Sequence, residues 1–186
     1  MDERIGSLEA IQVAVWEQLS AAAAGGKRHP WRTPVLATTD GKVADARVVL
    51  LRETDAQSRR LWLYTDVRAA KVAQLRSHAV GTLVMWSPEL GWQLRCRVEL
   101  GLEPPGLATS SRWARIKFSP AAQDYLSPLP PGAPITPAEP PSHDAVARDH
   151  FAVITAQVLA IDWLELHPEG HRRARFDNSG AAWLQP

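Results

Sequence analysis

The chain has 186 residues, enough for one domain of ordinary size with a full core, and 45% apolar with 22% charged side chains is a globular composition. With 21 basic and 20 acidic residues the net charge is +1, so no bulk field draws it to nucleic acid or to an anionic membrane, and any anion it binds must be held locally. Cys96 is the only cysteine, which excludes an internal disulfide and a cysteine-built metal site; no metal is expected, and a reducing cytoplasm fits.

The N-terminus opens with acids and never runs apolar for long, so it reads as neither a signal peptide nor a membrane span. Ile5, Leu8, Ile11, Val15 and Leu19 recur at helical spacing until "AAAAGGKRHP" stops them, which predicts an amphipathic helix within residues 1–24. "TPVLATTDGKVADARVVLLRETD" reads as two strands around an Asp40-Gly41 turn, and "RRLWLYTD" as a third. "VRAAKVAQLRSH" reads as a helix. "AVGTLVMWSP" and "GWQLRCRVELGLE" return to strand, the second with Gln93, Arg95, Arg97 and Glu99 on one face and Leu94, Cys96, Val98 and Leu100 on the other.

"GLATSSRWARIKFSPAAQDYL" is a helical excursion. Residues 127–145 contain seven prolines and are expected to form a loop or lid, or a plain surface loop. "FAVITAQVLAIDWLEL" is a long β-branched strand, "HRRARFD" a short basic one and "AAWLQP" a terminal apolar hook. Five or more strands in hairpin-like succession, with few helices, predict a mainly β single domain over 1–186: an antiparallel barrel with flanking helices.

"LYTDVRAAK" places two cations at a strand-to-helix join. With Asp66 as N-cap and a helix beginning at Val67, Arg68 and Lys71 flank the apolar stripe of Val72 and Leu75; the helix start, both cations and the Thr65 hydroxyl suit a phosphate. Two surface cations beside the stripe is the competing reading. Arg47 and Arg52 end an aliphatic strand at opposite parity, so serving one ligand would take a bulge or two different contacts. Gln93 offers a carboxamide to a planar heterocycle, or is a solvated edge residue. Arg172, Arg173 and Arg175 are weak evidence for nucleic acid, and none is expected.

"RVVLLR", "LYTDVRAAK", "WQLRCRV" and "RARF" with the terminal "AAWLQP" resemble, in order and over most of the chain, the motifs of the pyridoxamine 5'-phosphate oxidase-like family of FMN-binding split barrels, and its related-protein subgroup more than its authentic oxidases. The resemblance implies a homodimer with FMN at the interface. Residue by residue it implies Arg47 at the start of the "RxVLLK" motif, the backbone of Val48, Val49 and Leu50 along the flavin, and Arg52 in place of the closing lysine. Tyr64 and Thr65 match a Tyr-Thr pair; Lys71 matches the family's lysine and Arg68 an arginine of the subgroup. Gln93 matches a flavin-contacting glutamine, Gln123 a second glutamine at looser spacing, Trp163 or Leu164 a tryptophan near the flavin, and Arg175 the arginine before the closing phenylalanine.

An Arg-x-His pair used by the oxidases is missing from Arg172-Arg173-Ala174-Arg175, so vitamin B6 oxidation is not implied. The expected function is an FMN-dependent oxidoreductase on an unassigned small molecule. The alternative is a non-catalytic binding protein for FMN or another planar anionic cofactor, haem or deazaflavin. No catalytic acid or base is assigned: His29, His143 and His150 lie in loop-like stretches, and His167 and His171 only bracket the last turn.

Overall fold

The computed structural model describes residues 4–25, 29–135 and 150–186. The elements in chain order are α1 (Leu8–Ala23), a 3-10 turn (Pro30–Arg32), β1 (Val35–Thr39), β2 (Ala44–Val48), β3 (Leu51–Asp55), β4 (Arg60–Asp66), α2 (Ala70–Ser77), β5 (Val80–Ser87), β6 (Trp92–Leu102), α3 (Leu107–Ile116), a second 3-10 turn (Pro120–Tyr125), β7 (Phe151–Glu165), β8 (Arg172–Asp177) and β9 (Gly180–Leu184). All pairings are antiparallel, in the order β2-β1-β5-β6-β7-β4-β3, with β8 on β7 and β9 on β8.

The 15-residue β7 organises the sheet. One of its edges follows β6, whereas the other pairs β4 through Phe151–Gln157 and β8 through Ala160–Glu165. The sheet therefore divides at Val158–Leu159 and curls two ways from a shared spine. Its burial alternates along most of its length, as a strand with one core face requires. At the β5–β6 turn Gly91 has φ +64, and an added Cβ would lie 2.6 Å from the Leu166 carbonyl, so glycine is needed for that close approach.

The main core lies between the sheet and α1. Ile11, Val15 and Leu19 of the helix are fully buried against Leu36, Leu51, Leu83, Leu94, Ile161 and Trp163. Ser7 caps α1 by accepting the Ala10 N–H at 3.1 Å. A smaller aromatic cluster of Tyr125, Phe151 and Val153, with Trp62, Tyr64, Trp113 and Ile116 against it, sits under α3 on the other side of β4.

Three expectations need correction. The segment expected to be two strands is three, because the chain breaks at Val49–Leu50, where no glycine or proline marks the turn. The helix after β4 begins at Ala70, not Val67, with Ala69 at its N-cap. The terminal hook is an exposed strand, β9, with Trp183 and Leu184 partly open. Residues 128–135 of the proline-rich stretch contain no helix or strand, and residues 136–149, His143 among them, lie outside the described residues.

Candidate functional site

The β4–α2 join gathers cations around a buried hydroxyl. Thr65 is 3% exposed and accepts a hydrogen bond from Lys71 Nζ at 3.2 Å. No carboxylate lies within ion-pair reach of that ammonium among the described residues. Burial first, and the nearby Arg47 cation second, push Lys71 below its usual range. Arg47 reaches the same corner from β2. Its Nη1 donates to Thr38 Oγ1 at 2.5 Å and to the Leu36 carbonyl at 3.3 Å, and its Nη2 donates to Gln74 Oε1 at 3.0 Å and to the exposed Asp45.

Thr38 and Gln74 are residues that the sequence reading missed. Gln74 stands three residues after Lys71 on α2, so the two share a helix face, and that spacing was the available signal. Its Oε1 accepts from both Thr38 Oγ1 and Arg47, and its Nε2 donates to Asp45 at 3.2 Å. The carboxamide thus fixes the Arg47 guanidinium against α2.

Arg68 departs from the expectation. Asp66 does not cap α2; its buried carboxylate accepts the Arg68 N–H at 2.7 Å and the guanidinium at 2.6–3.2 Å. The remaining Arg68 donors go to the Ser127 and Pro128 carbonyls at 2.9 and 3.0 Å. Asp66 neutralises this arginine and the chain after Tyr125 holds it, so it braces that segment and has little left for a phosphate.

Arg52 and Arg47 go to different places, as their parity suggests. Arg52 lies over the Tyr64 ring at 5.1 Å. The Tyr64 hydroxyl donates to Glu53 at 2.9 Å, and burial, then that contact, raises its pKa out of reach of ordinary acid-base work. Beside it Arg112 of α3 grips Glu53 with two 2.9 Å bonds and Glu103 at 2.7 Å, while Trp62 Nε1 donates to Glu103 at 2.8 Å. Burial opposes ionisation of Glu53, yet the bonds from Arg112 and Tyr64 hold it below the usual carboxylate range.

Gln93 and Arg175 are elsewhere again. Arg47, Leu36, Leu83 and Cys96 form one cross-strand row on the core side, whereas Gln93 pairs with Trp86 and Leu164 on the outer face. Arg175 shares that outer face and bonds Asp177 at 2.7 Å. A single chain therefore divides the residues of the family motifs between two faces of the sheet. Trp163 is 0% exposed within the main core, edge-on to Trp92 at 5.3 Å, so it cannot meet a ligand; Leu164, on the Gln93 face, is the neighbour that can. Val48 is exposed on the outer face, Leu50 is half-buried, and the Val49 N–H is used by the Pro34 carbonyl at 2.9 Å. Gln123 falls in the second 3-10 turn, and its side chain lies outside the described ones.

Residues 13–102 match the model of the pyridoxamine 5'-phosphate oxidase FMN-binding domain. No curated protein matches the chain. Among solved structures it is similar to a pyridoxamine 5'-phosphate oxidase-related, FMN-binding protein of Nostoc punctiforme, at 22% identity and TM-score 0.71, over 97% of this chain and 100% of that one. PhzG of Burkholderia lata, solved with tetrahydrophenazine-1-carboxylic acid, is similar at 15% identity and TM-score 0.69, over 98% and 95%. A heme binding protein of Mycobacterium smegmatis is similar at 14% identity and TM-score 0.50, over 84% of this chain and 57% of that one. At these identities the likenesses establish fold. No helix among the described residues is long and apolar enough to cross a membrane. Domain match and fold agree: residues 13–102 match the pyridoxamine 5'-phosphate oxidase FMN-binding domain, and the chain has the mainly β split-barrel fold of its FMN-binding structural neighbours.

Proposed function

We propose that this chain is a flavoprotein that binds FMN and acts as an oxidoreductase on a small molecule, as a homodimer of one-domain chains spanning residues 1–186. The observation that carries the reading is Lys71. Among the described residues this half-buried ammonium bonds only a hydroxyl, beside a second cation, and the nearby carboxylates of Asp66 and Asp45 lie beyond ion-pair reach and are engaged by Arg68 and Arg47; such a charge is costly alone and is relieved by an anion. A phosphate meeting Lys71, Arg47 and the Thr65 hydroxyl fits that donor set. FMN, when bound, supplies hydride transfer at its N5. The chain's own share is to hold the phosphate at Arg47 and Lys71, to orient a ring edge with the Gln93 carboxamide, and to keep water from the ring.

The homodimer is supported by the division of the residues between two sheet faces. The outer face exposes Val48, Val80 and Trp86. A second copy laid on it covers those side chains and brings the Gln93–Arg175 face of one chain toward the Arg47–Lys71 corner of the other. Vitamin B6 is not the proposed substrate, because β8 carries no histidine where the oxidases place an Arg-x-His pair. The cytoplasm is the proposed compartment, in keeping with a lone cysteine whose thiol burial pushes up to about 12.

The test is the visible spectrum of purified protein after FMN addition and dialysis. Retained flavin bands at about one FMN per chain, followed by bleaching with a nicotinamide or other reductant, are the expected result. A protein that stays colourless removes the cofactor assignment.

A further inference from the structure

We propose that a cleft on the outer sheet face binds an oxyanion, the carboxylate or phosphate group of a small organic ligand, through Arg95, Arg97, Arg173 and Arg175. The cleft has a volume of about 370 Å³ and lies across β5 to β9. Thr82 and Ala160 face Arg97 from the two neighbouring strands, and these small side chains open it.

Charge and hydrogen-bond accounting point to an anion. Asp162 is shared between two arginines: Arg95 Nη2 donates to it at 2.6 Å, and Arg173 donates at 2.7 and 3.1 Å. Burial opposes its ionisation, but those two guanidiniums hold Asp162 below the usual carboxylate range, so it stays charged and fully engaged. Arg175 bonds Asp177. Arg97 has no ion pair among the described residues, although Glu99 follows it on the same face. The Nε of Arg95 is buried without a partner. Four guanidiniums thus meet two paired carboxylates, with Glu99 on the same face but beyond ion-pair reach, and an oxyanion at the exposed Arg97 supplies the missing charge.

The family resemblance assigns no role to Arg95, Arg97 or Asp162. This face also carries Gln93, so the bound group is assigned as the anionic end of the substrate. That last step rests on the flavin reading of the preceding subsection; oxyanion binding itself does not. An anion here also offsets the repulsion that two such faces would feel in a homodimer.

The experiment is calorimetric titration of the purified full chain, with FMN added, by benzoate and separately by inorganic phosphate at constant ionic strength, with Arg97→Gln and Arg97→Lys alongside. In the single chain Arg97 is exposed and has no ion pair among the described residues, so neither variant threatens the fold of the chain. The result expected is saturable binding of at least one probe, weakened about tenfold or more by Arg97→Gln and less by Arg97→Lys, with FMN content unchanged. Preference for benzoate marks a carboxylate ligand and preference for phosphate a phosphate ester. Arg97-dependent binding in a protein that holds no FMN keeps the cleft and removes its link to a flavin. Absence of saturable binding, or equal affinity in wild type and Arg97→Gln, overturns the proposal.

Discussion

Two partly buried cation clusters flank β4, and they differ in how their charges are met. Under α3, Arg112 is matched by Glu53 and Glu103, with Tyr64 and Trp62 filling the remaining acceptor sites. At the start of α2, Lys71 bonds a hydroxyl beside a second cation, while the nearest carboxylates, Asp66 and Asp45, are held by Arg68 and Arg47 and make no ion pair with it. The contrast separates charges that hold the fold from charges with capacity to spare. A matched cluster gains nothing from a ligand, whereas an unmatched one is stabilised by an anion. Arg68 belongs with the matched kind despite standing three residues from Lys71, because Asp66 and two carbonyls already engage its donors.

Breaking the matched cluster has the largest expected effect. Arg112→Ala leaves Glu103 with no ion-pair partner among the described residues and Glu53 with only the exposed Arg115 at 4.0 Å, in a partly buried layer, and urea unfolding is expected to show a loss of about 3 kcal/mol with FMN affinity little changed. A fall in FMN affinity with stability intact would reverse the distinction between the two clusters.

A second matched site gives the pH version of the same test. Burial opposes ionisation of Glu165, but Arg172 and Arg4 hold its carboxyl near about 2, against an ordinary value of 4.5. A depressed folded-state pKa contributes stability that is fully present above the unfolded value and disappears as pH falls from about 4.5 toward about 2. The contribution is on the order of 3 kcal/mol. Unfolding free energies measured through that window should fall more steeply for wild type than for Glu165→Gln; parallel curves would refute the assignment.

At the unmatched cluster the sign on stability changes. Lys71→Ala removes a cation that burial disfavours, so unfolding of the FMN-free protein is expected to shift by no more than about 0.5 kcal/mol, while FMN affinity drops about 100-fold. Smaller again is Gln74→Leu, which frees Arg47 without removing it. A loss of about tenfold in FMN affinity is expected by fluorescence titration, and none of it should appear in an Arg47→Ala background. Additive losses in the two variants would mean that Gln74 does not work through Arg47.

Much of the fold was legible because it depends on local pattern. Strict alternation marked β6 and its two faces, and β-branched residues marked β7. Helical spacing gave the buried stripe of α1. The break at Val49–Leu50 carries no turn residue and follows from the strand pairing on either side, so it left no local signal. The late start of α2 has a similar cause, since Asp66 bonds Arg68 rather than a helix N–H. Lys71, Thr65 and Arg47 were legible through motif likeness and do converge. The partners that decide what each cation can do were not: Asp66 and Ser127 for Arg68, Glu53 for Arg112, and Gln74 for Arg47 are brought together by the fold. Motif likeness left Trp163 and Leu164 as alternatives, and the fold puts Trp163 in the core and Leu164 on the Gln93 face, since on a strand one residue exchanges the two faces.

The most direct test of the distinction is FMN titration, followed by flavin fluorescence, of wild type, Lys71→Ala and Arg112→Ala in parallel with their unfolding curves. The expected result is weakened FMN binding with unchanged stability for Lys71→Ala and the converse for Arg112→Ala. Wild-type affinity for FMN in Lys71→Ala would contradict the phosphate cradle at the β4–α2 join.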